Sequence, residues 1–155
     1  MTSDDAQRLR DLLAGTRVLA LGVLVDGEPY VGLLPYVITA DYTAALVHAS
    51  GLARHTKGLV SGAAFSTLIH RPDQPDADPL QVERITLQGT VESIERETEA
   101  YAQGRRRYVE RFPSSAPTFA LGDFNLYHLR FATGRYVGGF ARARTVTADD
   151  LRQLA

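Results

Sequence analysis

The sequence contains no cysteine and no tryptophan, a single methionine and, among seventeen cations, a single lysine. The missing thiols exclude a disulfide framework, a thiolate zinc site and a cysteine nucleophile. No apolar run approaches the ~20 residues that a membrane-spanning helix needs. The N-terminus, MTSDDAQRLRDLL, is acidic where a signal peptide is basic and then apolar, so a cytoplasmic protein is expected. A formal charge of −1 leaves no footprint for general nucleic-acid binding. The one basic run, Arg105-Arg106-Arg107, lies near Glu95, Glu97, Glu99 and Glu110 and reads as a solvated helix face.

What is present is the balance of one ordinary globular domain: 155 residues, 45% hydrophobic and 23% charged. Leu9, Leu12 and Leu13 recur at helical spacing behind Thr2-Ser3-Asp4, which predicts a helix over 4–14 that ends at Gly15. Strands are expected over 17–25 and 30–39, joined by the hairpin signal Asp26-Gly27, with Pro35 confining its strand to an edge or a bulge. Further strands are expected over 44–49, 64–70 and 82–93, the last being the longest. Asn125–Ala132 and Arg135–Phe140 read as a final hairpin turning at Thr133-Gly134. Helices are expected over 52–60, 95–111 and 148–155. Hairpins outnumber strand–helix–strand alternation, which points to an α+β fold: an antiparallel barrel of about six or seven strands with peripheral helices, in one domain spanning 1–155.

Two segments could carry chemistry. On the strand 82–93, alternation puts Arg84, Thr86, Gln88 and Thr90 on one face and Ile85, Leu87 and Val91 on the other. The polar face suits an anion or a heterocycle, and equally a face turned to water. In SGLARHTKG, Ser50 is placed to cap a helix starting near Leu52, whose free amides would attract phosphate. Arg54 and Lys57, three apart, share a face there, and His55 and Thr56 add donors. An ordinary capped surface helix accounts for the same residues. The glycines of GRYVGGFARA lack the spacing of a dinucleotide fingerprint, and Gly138-Gly139 reads as a bulge or a close backbone approach. His48, His55, His70 and His128 are scattered without metal-site spacing, and no serine nucleophile motif is present.

Taken in order, GEPYVGLLPYVI (27–38), SGLARHTKGLVSGAAFSTLIH (50–70), ERITLQGTVE (83–92), GDFNLYHLRF (122–131) and GRYVGGFARA (134–143) resemble the pyridoxamine 5'-phosphate oxidase-like FMN-binding split-barrel superfamily. The chain is most similar to its haem-utilisation branch, without that branch's C-terminal extension. The resemblance implies a homodimer that binds FMN in clefts between subunits and runs redox chemistry on a small substrate. It implies that the strand carrying Gly32, Leu33, Leu34 and Tyr36 offers backbone groups to the flavin ring. Ser50, Arg54, His55, Thr56 and Lys57 would hold the phosphate, and Arg84 and Gln88 would reach the cofactor. Gly32 stands where relatives commonly have Ser. The branch implies two alternatives on the same barrel: haem binding, with iron held by one of the four histidines, or flavin binding without turnover. No metal site is expected apart from such haem iron, and neither nucleic acid nor membrane is an expected partner.

Overall fold

The structure, a computed structural model, describes residues 1–139 and 142–155. Its frame is one antiparallel sheet of seven strands: β1 (Val18–Val25), β2 (Glu28–Ile38), β3 (Ala44–Ser50), β4 (Ala64–His70), β5 (Arg84–Ile94), β6 (Phe124–Val137) and β7 (Ala143–Thr147). The strand order is β3-β2-β1-β4-β5-β6-β7, and β3 also pairs with β6, so six strands close into a barrel and β7 extends it. The β1–β2 hairpin turns on Asp26 (φ 53°) and Gly27 (φ 79°), the two positive angles that a two-residue type I′ turn demands.

Alternation fills the barrel. Leu19, Leu21, Ile69, Ile85, Leu87, Leu129 and Tyr136 point inward and are completely buried. Helix α1 (Ser3–Gly15) covers one end with Leu9, Leu12 and Leu13, and Thr2 caps it by accepting from the Asp5 amide. Arg8 and Tyr136 both bond Glu83, which ties α1 to the barrel. Helix α2 (Glu99–Arg111) and the 3₁₀ segment Pro113–Ala120 cover the outside of β3 and β6, where Val37, Leu46, Ile94 and Leu126 meet Tyr108, Phe112 and Phe119. Helix α3 (Ala148–Arg152) starts at Thr147 with a capping box completed by Asp150.

The structure corrects several expectations. The helix expected over 52–60 is a single 3₁₀ turn, Arg54–Gly58, with Ala53 at its N-cap and no side-chain cap. Gly58 is the reason: a Cβ there would lie 2.6 Å from Val23 Cβ, so the chain is pressed onto β1 before a helical turn can repeat. Thr133-Gly134 is not a hairpin turn but lies within β6, at fourteen residues the longest strand. Gly134 is small because Thr86 O and a Leu87 methyl would sit 2.8 Å from any Cβ. Gly138 N–H donates to Arg142 O beyond the end of β6, and the bulge lies opposite Gln88/Gly89 of β5, with Ala132 the extra residue of β6, rather than at Gly138-Gly139. Phe140, the last residue of the expected strand, and Ala141 lie outside the described residues. β7 was not expected, and the helix expected from Glu95 begins at Glu99 behind a Thr98 cap.

Candidate functional site

The barrel has one unfinished wall. β2 pairs with β1 from Glu28 to Pro35 but with β3 only from Tyr36 to Ile38, so its other edge is unpaired over 28–35. Tyr36 N–H donates to Arg17 O. Alternation therefore turns the backbone groups of Val31 and Leu33 toward the unpaired edge, and the missing amide of Pro35 falls on that same side. The outward side chains of this wall are apolar and uncovered: Val18 is 42% exposed, Leu24 61%, Val31 67% and Leu33 69%. β4 continues the face with Ala64, Ser66, Leu68 and His70, and β5 with Arg84, Thr86, Gln88 and Thr90.

A shallow pocket of about 340 Å³ lies on this wall, floored by Gly22 and Leu24 and bounded by Tyr30, Val31, Ser66 and Gln88. Arg54 lies over the Tyr30 ring, 5.3 Å from its centroid, and that ring packs on the core side of β2, so the 54–58 turn stands at the rim of the barrel and not on the outward face. Neither Arg54 nor Lys57 forms an ion pair among the described residues. The hydroxyls nearby are already used. Ser50 Oγ donates to Asp123 Oδ2 (2.7 Å) and accepts from Leu52 N–H, and Thr56 Oγ1 donates to Ser50 O (2.6 Å). These bonds shape the turn. The segment thus gathers two free cations, but no helix N-terminus stands behind them.

The remaining sequence-derived residues divide by face. Leu33 is exposed on the wall, whereas Leu34 and Tyr36 point inward, the Tyr36 hydroxyl donating to Leu13 O (2.7 Å). Their backbone N–H and C=O groups face β1, so neither residue offers a group to the unpaired edge. Gly32 also faces inward, and a Cβ there would lie 2.8 Å from His55 Nδ1. The His55 ring fills the place of the absent side chain, and burial lowers its pKa. Gln88 adjoins the pocket. Arg84 lies four residues along the same face, roughly 13 Å away, and donates to Leu80 O and Val82 O.

The four histidines are not equivalent. His48 is 6% exposed, stacked on Phe119 at 3.8 Å, and desolvation followed by the Arg96 charge lowers its pKa to about 4. His128 is held at Nδ1 by Glu92 (3.3 Å), whose carboxylate also takes two bonds from Arg130 and is held down to about 2. His55 is wedged on Gly32. His70 alone is exposed on the apolar wall, with Nδ1 bonded to Arg71 O (2.7 Å), an arrangement that leaves Nε2 directed away from its own backbone. Among the described residues no three histidine, aspartate or glutamate side chains form a metal-binding cluster.

No protein-family model matches the chain. It is 28% identical over 127 residues to "Heme oxygenase HutZ" of Vibrio cholerae, covering 81% of this chain and 71% of that protein. A "heme binding protein from Mycobacterium smegmatis" superimposes over 99% of the chain with a TM-score of 0.84 at 25% identity. In sequence and fold the chain is thus similar to haem-utilisation proteins, in keeping with the resemblance of its motifs to the pyridoxamine 5'-phosphate oxidase-like split-barrel superfamily. It spans 62% of the length of the Mycobacterium smegmatis protein. At 15% identity, a "FAD and Heme binding protein" of the same organism shares the fold with a TM-score of 0.64. Three of the five segments that resemble the superfamily fall on the unfinished wall and its borders: 27–38 spans β2, 50–70 contains the 54–58 turn and β4, and 83–92 spans most of β5, whereas 122–131 and the start of 134–143 lie on β6. Among the described residues no helix is long and apolar enough to cross a membrane. Sequence reasoning missed the wall itself. Its signal was available, in that Val31, Leu33 and Pro35 are apolar at the outward positions of a strand whose inward positions are apolar too.

Proposed function

We propose that this chain is a haem-binding protein that takes the macrocycle onto its unfinished wall, with His70 as the iron ligand. The observation that carries this reading is the wall's chemistry: an apolar surface with an accessible histidine and with Arg84, the register partner of His70, beside it. A porphyrin needs an apolar plane, an imidazole nitrogen for its iron and a cation for a carboxylate, and these residues offer all three. The Nδ1 bond to Arg71 O would fix the His70 ring and present Nε2, the usual second-shell device of a histidine ligand. Haem, once bound, would supply its own iron redox chemistry. The similarity to a haem oxygenase and to a haem-binding protein supports the reading.

The same wall suits a second copy of this chain. An unpaired strand edge bearing exposed Val31 and Leu33 is a surface that proteins cover. We therefore place a homodimer interface there, with the ligand at its margin.

A second reading, FMN, rests on a different observation. Arg54, over the Tyr30 ring, and Lys57, three residues on, are cations at the rim without an ion pair among the described residues, and the wall pocket presents Gln88 and Ser66. They would take the phosphate and the ring edge respectively, and a flavin there would make the protein an oxidoreductase for a small substrate or a flavin carrier.

Titration of the purified protein with haem and, separately, with FMN discriminates these readings by visible spectroscopy. The haem reading expects a stoichiometric Soret band that shifts or is lost in His70→Ala and persists in His48→Ala, His55→Ala and His128→Ala. An unchanged haem spectrum in all four variants excludes histidine ligation. The FMN reading expects tight flavin uptake that falls at least about tenfold in the double variant Arg54→Ala, Lys57→Ala, because two charge-assisted contacts are removed. Undiminished affinity in that variant overturns the phosphate assignment.

A further inference from the structure

The segment 71–83 joins β4 to β5, and the strand residues at its two ends, His70 and Arg84, are register partners. Residues 72–81 are all exposed. One piece of this exposed stretch is nevertheless firmly built. Asp78 Oδ1 accepts from Leu80 N–H (2.9 Å) and Asp78 O from Gln81 N–H (2.9 Å), while Pro79, with its φ fixed, opens the 3₁₀ turn Pro79–Gln81. Val82 N–H closes the turn on Pro79 O (3.3 Å). Arg84 Nη1 then donates to Leu80 O (3.1 Å) and to Val82 O (2.9 Å). Among the described residues, the bond to Leu80 O is the only hydrogen bond that ties 72–81 to a strand.

Which nitrogen is held matters. Nη1 lies on the Cδ side of the guanidinium plane. Fixing it leaves the opposite edge free, where Nε–H and one Nη2–H run parallel and form the fork that meets both oxygens of a carboxylate. Neither of those nitrogens makes a hydrogen bond to the described residues, and Arg84 has no ion-pair partner among them. Bonds to neutral carbonyls leave its charge intact and fix its plane, which is the preorganisation that recognition of a planar anion needs. Beyond His70 the same outward face is apolar and uncovered, with Val18 42% and Leu33 69% exposed. Val18 lies two strands from Arg84, about 10 Å at the usual strand spacing, so one flat ligand can span both.

We propose that Asp78, through the 78–82 turn, holds Arg84 as the carboxylate anchor of the unfinished wall, and so restricts the wall's ligand to a flat apolar molecule that carries a carboxylate. This rests on the wall being the ligand site and adds the residues that select among ligands there. Arg84 touches the ligand, whereas Asp78 is a positioning residue that acts through the carbonyl of Leu80. The charge of Asp78 works against its hydrogen bond. As a nearby anion it opposes a bound carboxylate, and as the acceptor for Leu80 N–H it builds the turn that orients Arg84. Removing the charge alone and removing the hydrogen bond therefore have opposite effects on affinity.

Fluorescence titration of the full chain with iron-free protoporphyrin IX and with its dimethyl ester tests this, since neither probe depends on an iron ligand. The diacid is expected to bind at least about tenfold more tightly than the ester, because only the carboxylate makes charge-assisted bonds. Arg84→Gln is expected to abolish that difference, and Arg84→Lys to restore only part of it, because an ammonium has no fork. Asp78→Ala is expected to weaken the diacid severalfold and leave the ester unaltered. Asp78→Asn keeps Oδ1 as an acceptor and loses the charge, so it is expected to bind the diacid at least as tightly as the unsubstituted protein. Amide exchange at Leu80 checks the cause: it is expected to quicken in Asp78→Ala and to stay unchanged in Asp78→Asn. Equal binding of diacid and ester, or a diacid affinity indifferent to Arg84→Gln, overturns the proposal and leaves the wall standing as a ligand site. Tighter diacid binding in Asp78→Ala overturns the positioning role, because Asp78 would then act by charge alone. Binding of neither porphyrin overturns the wall as the ligand site and this proposal with it.

Discussion

The two outer walls of the barrel follow the same sequence rule and end differently. On β3 and β6 the outward residues Leu46, His48 and Leu126 are buried, because α2 and the 113–120 segment lie over them and bring Tyr108, Phe112 and Phe119. On β1 and β2 the outward residues Val18, Leu24, Val31 and Leu33 are equally apolar and stay exposed. Strand patterning alone does not separate a wall that the chain finishes itself from one that it leaves for something else. The difference is what lies against the strands. One wall receives a thirteen-residue helix, and the other is approached only at its rim by a five-residue turn. The finished wall is a second hydrophobic core, and the unfinished one has the properties of a binding surface.

The sharpest way to break this comparison is to truncate one leucine on each wall. Leu46→Ala on the finished wall is expected to cost about 2–5 kcal/mol, the range for a fully buried leucine. Leu33→Ala is expected to cost less than about 0.5 kcal/mol in the monomer, as an exposed change does. Urea unfolding at low protein concentration measures both. Similar losses at the two positions would show that the wall carrying Leu33 is already covered within one chain. The companion variant Leu33→Arg is expected to convert a dimer to a monomer in sedimentation and to leave the unfolding midpoint of the monomer nearly unchanged.

The finished wall should also be the acid-sensitive one. His48 is neutral in the folded state, with a pKa near 4 against about 6.5 unfolded. Between those values the unfolded chain binds more protons, so stability falls as pH is lowered from 7 toward 4 and levels off below. The loss is on the order of 2–3 kcal/mol. Its source is local: the ring lies between Phe119 and Phe124, next to Tyr108, with Arg96 contributing unfavourable charge and Nε2 having no partner. His48→Phe should flatten this limb of the stability profile. An acid limb of unchanged height in that variant would assign the sensitivity elsewhere.

What the sequence made legible follows from how local each signal is. The Asp26-Gly27 turn, the Leu9/Leu12/Leu13 stripe, the two faces of β5 and the helix starting at Ala148 each depend on residues within a few positions, and each is as expected. The long span of β6 through Thr133-Gly134 was illegible because glycine answers there to β5, a strand more than forty residues away. The 54–58 turn misled in the same way. Its residues carry good helix-start chemistry, but the contact of Gly58 with Val23 decides its geometry. For the candidate site, the residue types at Arg54, Lys57 and Gln88 were legible. That Ser50 and Thr56 use their hydroxyls inside the turn, and that Tyr36 points into the core, required the fold.

The smallest expected effect lies at the rim, where the 54–58 turn meets β2. Gly32 has an inward position with no side chain, and the His55 ring occupies that space. A serine Cβ at 32 would stand 2.8 Å from Nδ1 and 3.1 Å from Cγ of His55, too close for the ring to stay. The ring is the end of a side chain that can swing outward, so Gly32→Ser should cost only about 1 kcal/mol, less than a rigid overpacking. The more telling consequence is electrostatic. Burial lowers the His55 pKa, so a displaced ring should titrate closer to the ordinary histidine value, visible as a shift in its imidazole proton resonances with pH. Adding His55→Ala to Gly32→Ser should recover most of the lost stability, because the clash has then lost its second partner. If the double variant is instead as unstable as the two single losses summed, Gly32 and His55 act independently, and the glycine answers to the β1–β2 pairing alone.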